Sequence, residues 1–471
     1  EIDQCEARCL EFQTDHSYAA QPWINLMKDY AFKCDIVEAR CLMNGTTVYN
    51  FLHTHIVPKR TVKPYRKIMK SAPSIYVIVI DSLGASHARR VFPKTIKYLQ
   101  EEFGAVDLKF MNKVGENSRP NGLAFMTGKS VTDMKRNLLG LPTVYRDWTM
   151  EESCEMHQDG RGFILQEFEK LGYTTLVAED WHDGLFNWPG CVGFKKQPAT
   201  HYMRPFQLRY GKEKPTQLLQ HQGSSNCFEP HLFLNDFVEK FIRAYPRFTP
   251  KMAFTWASYL SHDDSDAAFH ADSQYKDFFE RNRDEFDNSF VFLMGDHGMR
   301  YGKVRYTEFG KKDMNNPFVS ISIPRNLRSS EAYLNLKHNS DELLTFFDLF
   351  ETLVDIKETF AVKQQQQSTK DFKETTTRLG TKGSSLLRPL PSFERSCRSL
   401  PIPPSFCICE QDRDIIELTP EFDGIGHAVA KAANEVLVEE KTFYFYGVIA
   451  SRIADNRGAT HQGITSLRCD C

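Results

Sequence analysis

This chain of 471 residues lacks several things that would narrow its class at once. No long apolar run lies near its start. The richest stretch there, 75–80, falls far short of the roughly 20 residues a membrane span needs and reads as a buried strand. Charge of one sign is missing too, since 59 Lys and Arg stand against 61 Asp and Glu for a net charge of −2. No basic surplus points to nucleic acid, and no acidic run points to a solvating tail. No internal repeat is visible. Cysteine is scarce in the middle: of twelve, only Cys154, Cys191 and Cys227 lie between Cys41 and Cys397. Residue 1 is Glu rather than Met, so a segment is expected to have been removed ahead of it, a signal peptide or an N-terminal membrane anchor.

What is present is an ordinary globular balance, 41% hydrophobic and 25% charged, long enough for a large core and more than one domain. The even cysteine count, concentrated at Cys5, Cys9, Cys34, Cys41 and again at Cys397, Cys407, Cys409, Cys469 and Cys471, suits disulfides made in an oxidising compartment. Asn44-Gly45-Thr46 is a glycosylation sequon that needs the same export route, which places the chain outside the cell or in the secretory lumen. A zinc site at Cys407 and Cys409 with Cys469 and Cys471 is the rival, but a single residue between cysteines fits common zinc spacings poorly.

Strands and helices alternate from residue 74 on. Strands are expected at 74–80, 173–178, 251–259, 289–294 and 318–323, and helices near 93–102, 163–171, 231–244 and 341–354. Residues 280–287 read as a charged surface turn. The alternation predicts an α/β fold, a mainly parallel central sheet flanked by helices, with a smaller C-terminal α+β subdomain. The organisation expected is a Cys-bearing cap (1–70), a catalytic α/β domain (71–362), a polar loop (363–382) and a C-terminal subdomain (383–471). The last carries a helix at 427–438, a strand at 442–449 and a disulfide-tied end.

Reactive side chains fall where such sheets gather them, at strand carboxyl ends. Asp81 ends one apolar strand, and Gly295-Asp296-His297-Gly298 ends another. Oxygen and imidazole donors on rigid backbone suit a divalent ion, and the flanking glycines permit a tight turn and close approach. Ser118, in Asn117-Ser118-Arg119-Pro120-Asn121, enters an apolar helical stretch. A serine hydroxyl is a poor nucleophile until a base or metal activates it, and a helix N-terminus favours an anionic ester. The plainer reading makes Ser118 a helix cap, Asp296 a strand-end cap and His297 an exposed side chain. His262, in Tyr259-Leu260-Ser261-His262-Asp263, follows a strand and could contact ester oxygens or protonate a leaving group. His182 gives a weaker signal of the same kind. Asn117, Arg119, Lys129 and Arg305 are the candidates for holding substrate charge.

Together these segments resemble the alkaline phosphatase superfamily on its sulfatase-like branch. More closely, the chain resembles the metazoan sulfatase-like family catalogued as domain of unknown function 229. The matching runs are Val77-Ile-Val-Ile-Asp-Ser82, Val114-Gly-Glu-Asn-Ser-Arg-Pro-Asn121 with Met126-Thr-Gly128, Ala178-Glu-Asp180, Tyr259-Leu-Ser-His-Asp263 and Asp296-His-Gly298 with Tyr301-Gly-Lys303. Ser384-Ser-Leu-Leu387, Arg395-Ser-Cys397, Ser451-Arg-Ile453 and Cys469-Asp-Cys471 also match. The resemblance implies one divalent ion (zinc, manganese, magnesium or calcium) held by Asp81, Ser118, Asp296 and His297, with Ser118 also the nucleophile and His262 an active-site histidine. Four departures qualify it. Ser118 stands where the family usually has Thr. Ser118-Arg-Pro-Asn-Gly122 lacks both the Cys and the closing Arg of the formylglycine motif. Ser258 stands where two-metal relatives carry Asp, and Asp313-Met-Asn-Asn316 replaces an acidic pair and Arg, which is expected to loosen support of the site.

The resulting expectation is a secreted or lumenal metal-dependent hydrolase or transferase of phosphate esters. Its partner would be a phosphorylated or sulfated small molecule, a glycan or a lipid head group. Two alternatives stand beside it: a catalytically idle sulfatase-like domain that binds a glycan, lipid head group or protein, and a sulfate-ester hydrolase that works without formylglycine.

Overall fold

The computed structural model describes residues 2, 4–26, 30–59, 72–212, 229–264, 266–361, 372, 381–411, 431 and 469–470. Cys227, the expected helix at 427–438 apart from residue 431, the expected strand at 442–449 and most of the 363–382 loop lie outside them. The chain forms two compact units, one of residues 1–136 and 142–408, the other of 137–141 and 409–471. In the second, Glu410–Gln411 pairs antiparallel with Cys469–Asp470. No helix among the described residues is long and apolar enough to cross a membrane.

The first unit opens with an antiparallel sheet: β1 (Gln4–Thr14), β2 (Ser17–Ala20), β3 (Ile24–Asn25), β4 (Ile36–Met43) and β5 (Thr46–Thr54). Their order is β2-β1-β4-β5, with β3 also on β1. Cys5 sits opposite Cys41 in register, and these two are joined, as are Cys9 and Cys34. The guanidinium groups of Arg8 and Arg40 both lie against the Trp23 ring, 4.3 and 4.1 Å from its centroid. The β4–β5 hairpin turns at Asn44-Gly45, both with positive φ, the turn geometry these residues favour. The sequon therefore stands exposed at a hairpin tip.

The central sheet is built from β6 (Ile75–Ile80), β7 (Val106–Asp107), β9 (Thr174–Glu179), β10 (His201–Tyr202), β11 (Lys251–Ala257), β12 (Phe290–Gly295) and β13 (Val319–Ser322), with β8 (Phe110–Asn112) and β14 (Leu343–Thr345) forming a separate parallel pair. The order is β10-β9-β11-β6-β12-β13-β7. β10, β9, β11, β6 and β12 run parallel, and β13 runs antiparallel to both of its neighbours, β12 and β7. Each central strand is buried along its whole length. Ile75, Val77 and Val79 feed one core layer and Tyr76, Ile78 and Ile80 the other, so helices must cover both faces. α1 (Ala85–Val91) and α2 (Pro93–Phe103) pack on one face, and α3 (Ser118–Thr127) and the helix Phe346–Phe360 on the other.

Strand register fixes where the reactive side chains stand. Ile80 lies opposite Ala257 on one side and Gly295 on the other, so β6, β11 and β12 end level. Asp81, Ser258 and Asp296 are the next residue of each strand.

Two expected elements differ. Residues 280–287 are not a surface turn: helices Ala271–Arg281 and Arg283–Phe286 occupy them, anchored by buried Phe278, Phe279 and Phe286. Glu285 is buried and accepts from the Tyr76 hydroxyl (2.8 Å) and Lys251 (3.2 Å). The 341–354 helix begins later, because Leu343–Thr345 pairs with β8 and Thr345 with Asp348 forms a capping box. Asp348 also accepts from the Ser384 backbone (2.8 Å) and pairs with Arg395 (2.7 Å), while Arg388 bonds Asp355 through two nitrogens (2.7 and 2.9 Å). These buried links tie residues 384–395 to the helix Phe346–Phe360, within the first unit.

Asp348→Ala leaves Arg395 charged, buried and unpaired and removes the cap. It is expected to cost about 3–5 kcal/mol in denaturant unfolding. A loss under about 1 kcal/mol would show the pair to be dispensable.

Candidate active site

Asp81, Ser118, Asp296 and His297 converge at the level strand ends. Each is held from a different direction. Ser82 takes a left-handed backbone (φ 59°), uncommon outside glycine, and this turns its N–H onto Asp296 Oδ1 at 2.9 Å. The same oxygen accepts from the His297 N–H (2.9 Å). Ser82 Oγ donates to Asp81 Oδ1 (3.0 Å). Gly295 and Gly298 are needed for close approach, since a Cβ would lie 2.1 Å from the Leu83 carbonyl oxygen at the first and 2.2 Å from that of Asp313 at the second. The 313–316 segment, expected to loosen the site, instead braces it. Asp313 Oδ1 accepts from the Ser86 N–H (2.7 Å), and the Gly298 N–H donates to the Met314 carbonyl (3.0 Å).

Ser118 is the first residue of α3, and the cap position belongs to Asn117, which makes no side-chain cap bond. The loop ahead is stapled by Asn121. Its Oδ1 accepts from Val114 and Gly115 (both 2.9 Å), and its Nδ2 donates to the carbonyls of Gly115 (3.1 Å) and Asn117 (3.0 Å). Sequence reasoning gave Asn121 no role. Ser118 Oγ then stands 3.3 Å from Asp81 Oδ2 and 3.4 Å from His297 Nε2.

Three acceptors face one another here. His297 is fully buried, and its Nδ1 lies 2.9 Å from the Gly298 carbonyl, which assigns the proton to Nδ1 and leaves a lone pair on Nε2. That lone pair is 3.3 Å from Asp296 Oδ2 and 3.9 Å from Asp81 Oδ1. Asp296 Oδ2 is buried with no hydrogen-bond partner among the described residues. Burial and the Asp296 charge push the Asp81 carboxyl well above its usual range, and burial pushes the His297 imidazole down. A neutral imidazole, an orphaned carboxylate oxygen and a second carboxylate make a donor set that fits a divalent ion. The cysteines fit a metal less well: Cys397 and Cys407 form a disulfide, Cys154 joins Cys191, and Cys409 is disulfide-bonded.

Ser118 and Asp81 form part of the floor of a cavity of about 320 Å³. Its walls carry Trp181, Trp188, Trp256, Arg300 and Asp183, to which the sequence gave no role, and Tyr259, Tyr301 and Glu179, which stood only within the matching runs. Aromatics on loops and strand ends give no periodic signal, so hydrophobic periodicity assigns them no role. Glu179 and Asp180 are buried and their carboxyls are each pushed up to about 7, by burial. Asp180 accepts from the Ser258 N–H at 2.7 Å, and Ser258 itself lines the cavity.

His262 also lines it, half-buried, with Nδ1 on Asp263 (2.7 Å) and its ring 5.5 Å from that of Tyr301. The remaining candidates lie elsewhere. Arg119 turns to the Ser153 carbonyl (2.7 Å) and is not among the lining residues. Lys129 is exposed beyond the far end of α3, about 15 Å along the helix from Ser118. His182 pairs with Asp183 (3.0 Å) between two lining residues without lining the cavity itself. Arg305 donates to the Arg300 carbonyl (2.8 Å).

Comparison with solved structures gives similar chains at low identity. A protein of the alkaline phosphatase superfamily from Vibrio parahaemolyticus is 14% identical over 64% of this chain and 71% of its own (TM-score 0.40). The lipoteichoic acid synthase LtaP from Listeria monocytogenes is 14% identical over 68% and 76% (TM-score 0.38). The C-terminal periplasmic domain of EcEptC from Escherichia coli is 11% identical over 70% and 91% (TM-score 0.39). No curated protein matches the sequence significantly. The family model described as protein of unknown function, DUF229, matches residues 3–446, and the chain belongs to that family.

Proposed function

We propose that this chain hydrolyses or transfers phosphate esters, with Ser118 as nucleophile and one divalent ion held by Asp81, Ser118, Asp296 and His297. The observation that carries the reading is the Ser118 hydroxyl, between Asp81 and a lone-pair imidazole nitrogen, at the floor of an open cavity. An ion bound there supplies positive charge that eases ionisation of the hydroxyl and offsets charge on the ester. Ser118 Oγ attacks phosphorus, and its proton passes toward Asp81, the carboxylate it already faces. His262 gives a proton to the departing alcohol oxygen, and Arg300 offers positive charge beside the ester. Water or a second alcohol then takes the phosphoryl group from Ser118. Hydrolase and transferase differ only in that acceptor.

Four disulfides among the described residues, and the exposed Asn44 turn, support a secreted or lumenal setting in which Asn44 carries a glycan. The idle-domain reading, which rested on Ser258 and the 313–316 segment, is the less favoured: that segment braces the turn, and Ser258 bears on a second metal only. Sulfate-ester cleavage is separated by comparing rates on matched sulfate and phosphate esters.

Ser118→Ala is expected to abolish turnover of an activated phosphate ester, while Ser118→Thr keeps it. Undiminished turnover by the alanine variant would sink the mechanism. His262→Ala should lower kcat roughly 100-fold, most strongly for poor leaving groups. Cation binding supplies a pH test. Burial and the Asp296 charge raise the Asp81 carboxyl, so cation binding is expected to be coupled to proton release. Zinc or manganese titrated calorimetrically in buffers of different ionisation heat should release protons, and affinity should weaken as pH falls. Binding that is independent of pH and buffer would remove Asp81 from the ligand set.

A further inference from the structure

The cavity has two chemically different ends, and their separation comes from the sheet. The loops after β6 and β12 carry Asp81, Asp296 and Arg300, and α3 brings Ser118 to them. The loop after β9 carries Trp181, Asp183 and Trp188. β11 and β6 lie between β9 and β12 in the sheet, so the ends of those two strands are three spacings, about 14 Å, apart. Arg300 acts on Asp81 and His297, which places the positive wall at the Ser118 end.

The far end is aromatic and acidic. The rings of Trp181 and Trp188 are 5.5 Å apart at 75°, two walls of a corner rather than a flat platform. Tyr259 joins them from the end of β11, close enough to feel the charges of Asp180 and Asp183. Glu179 reaches the cavity at the strand end, held through one oxygen by the Leu185 N–H at 2.8 Å. Burial raises its carboxyl to about 7, a state that a nearby cation would reverse. Arg300 is the one Lys or Arg among the described lining residues.

We propose that this corner of Trp181, Trp188 and Tyr259, backed by Glu179 and Asp183, binds an alkylammonium group, so that the substrate is a phosphate ester bearing a positive charge on its far side. Aromatic faces attract quaternary and primary ammonium groups through the ring quadrupole, and desolvation strengthens the attraction. The Asp183 carboxylate, joined by Glu179 when it is ionised, disfavours polyanionic glycans at the same place. The proposal rests on the phosphate-ester reading for the other half of the substrate, but the corner itself is tested without turnover.

Binding to the Ser118→Ala protein is measured by calorimetry with tetramethylammonium, phosphocholine, its uncharged isostere 3,3-dimethylbutyl phosphate, inorganic phosphate and glucose 1-phosphate. Tetramethylammonium is expected to bind alone, and phosphocholine to bind about tenfold tighter than the isostere. Trp181→Ala should erase that ratio and Trp181→Phe retain most of it, with both variants melting like their parent. Failure of tetramethylammonium to bind, equal affinity for phosphocholine and the isostere, or tighter binding of the sugar phosphate overturns the proposal. If phosphate binds and no ammonium preference appears, the corner is refuted and the esterase reading stands. If ammonium binds and no phosphate does, with or without a divalent ion, the esterase reading fails and the corner survives.

Discussion

The site depends on one carboxylate that does two jobs. Asp296 uses Oδ1 to tie together the ends of β6 and β12, through the Ser82 and His297 N–H groups. This leaves Oδ2 buried, without a hydrogen-bond partner among the described residues, and facing an imidazole lone pair. Satisfying both oxygens internally would relieve the repulsion, but it would also close the place where a cation fits. The fold accepts a locally unfavourable cluster because the level ends of three buried strands and the close packing at Gly295 and Gly298 prevent it from relaxing.

Around that cluster the structure spends its polar contacts on backbone. Asn121 closes the Ser118 loop with four hydrogen bonds, Asp180 fixes the start of the Ser258 loop, and Asp313 fixes the start of α1. None of the three needs to touch a substrate. They set the positions of side chains that do face the cavity, which is how loops reach the precision of strands.

Much of the sheet was legible in the sequence because its strands are apolar runs ending in Asp or Gly, and burial on both faces leaves little else possible. Asp81 and Asp296-His297 were found through those strand ends. The N-terminal strands were not legible. They are half-exposed, two-sided and short of continuous apolar residues, and their stability leans on disulfides and on the contacts of Arg8 and Arg40 with Trp23, neither of which leaves a periodic trace. The 341–354 segment misled for a different reason: Leu343 and Leu344 fit a helix face as well as a strand, and only pairing with Phe110–Asn112 decides between them. Arg119 and Lys129 were read as cations for substrate charge, whereas the helix that starts at Ser118 turns one toward Ser153 and carries the other away. That the aromatics form one wall was not legible, since they assemble from separate strand ends and loops.

Ser82 holds a consequence for how this chain varies. Its left-handed backbone admits Gly, Asn or Asp with little strain and resists branched side chains, yet its hydroxyl also serves Asp81. Drift at this position is therefore confined to a few small residues by shape alone, before any selection on chemistry acts. A chain bearing Val or Ile there would have to rebuild the contact between the ends of β6 and β12 that the Ser82 N–H makes with Asp296.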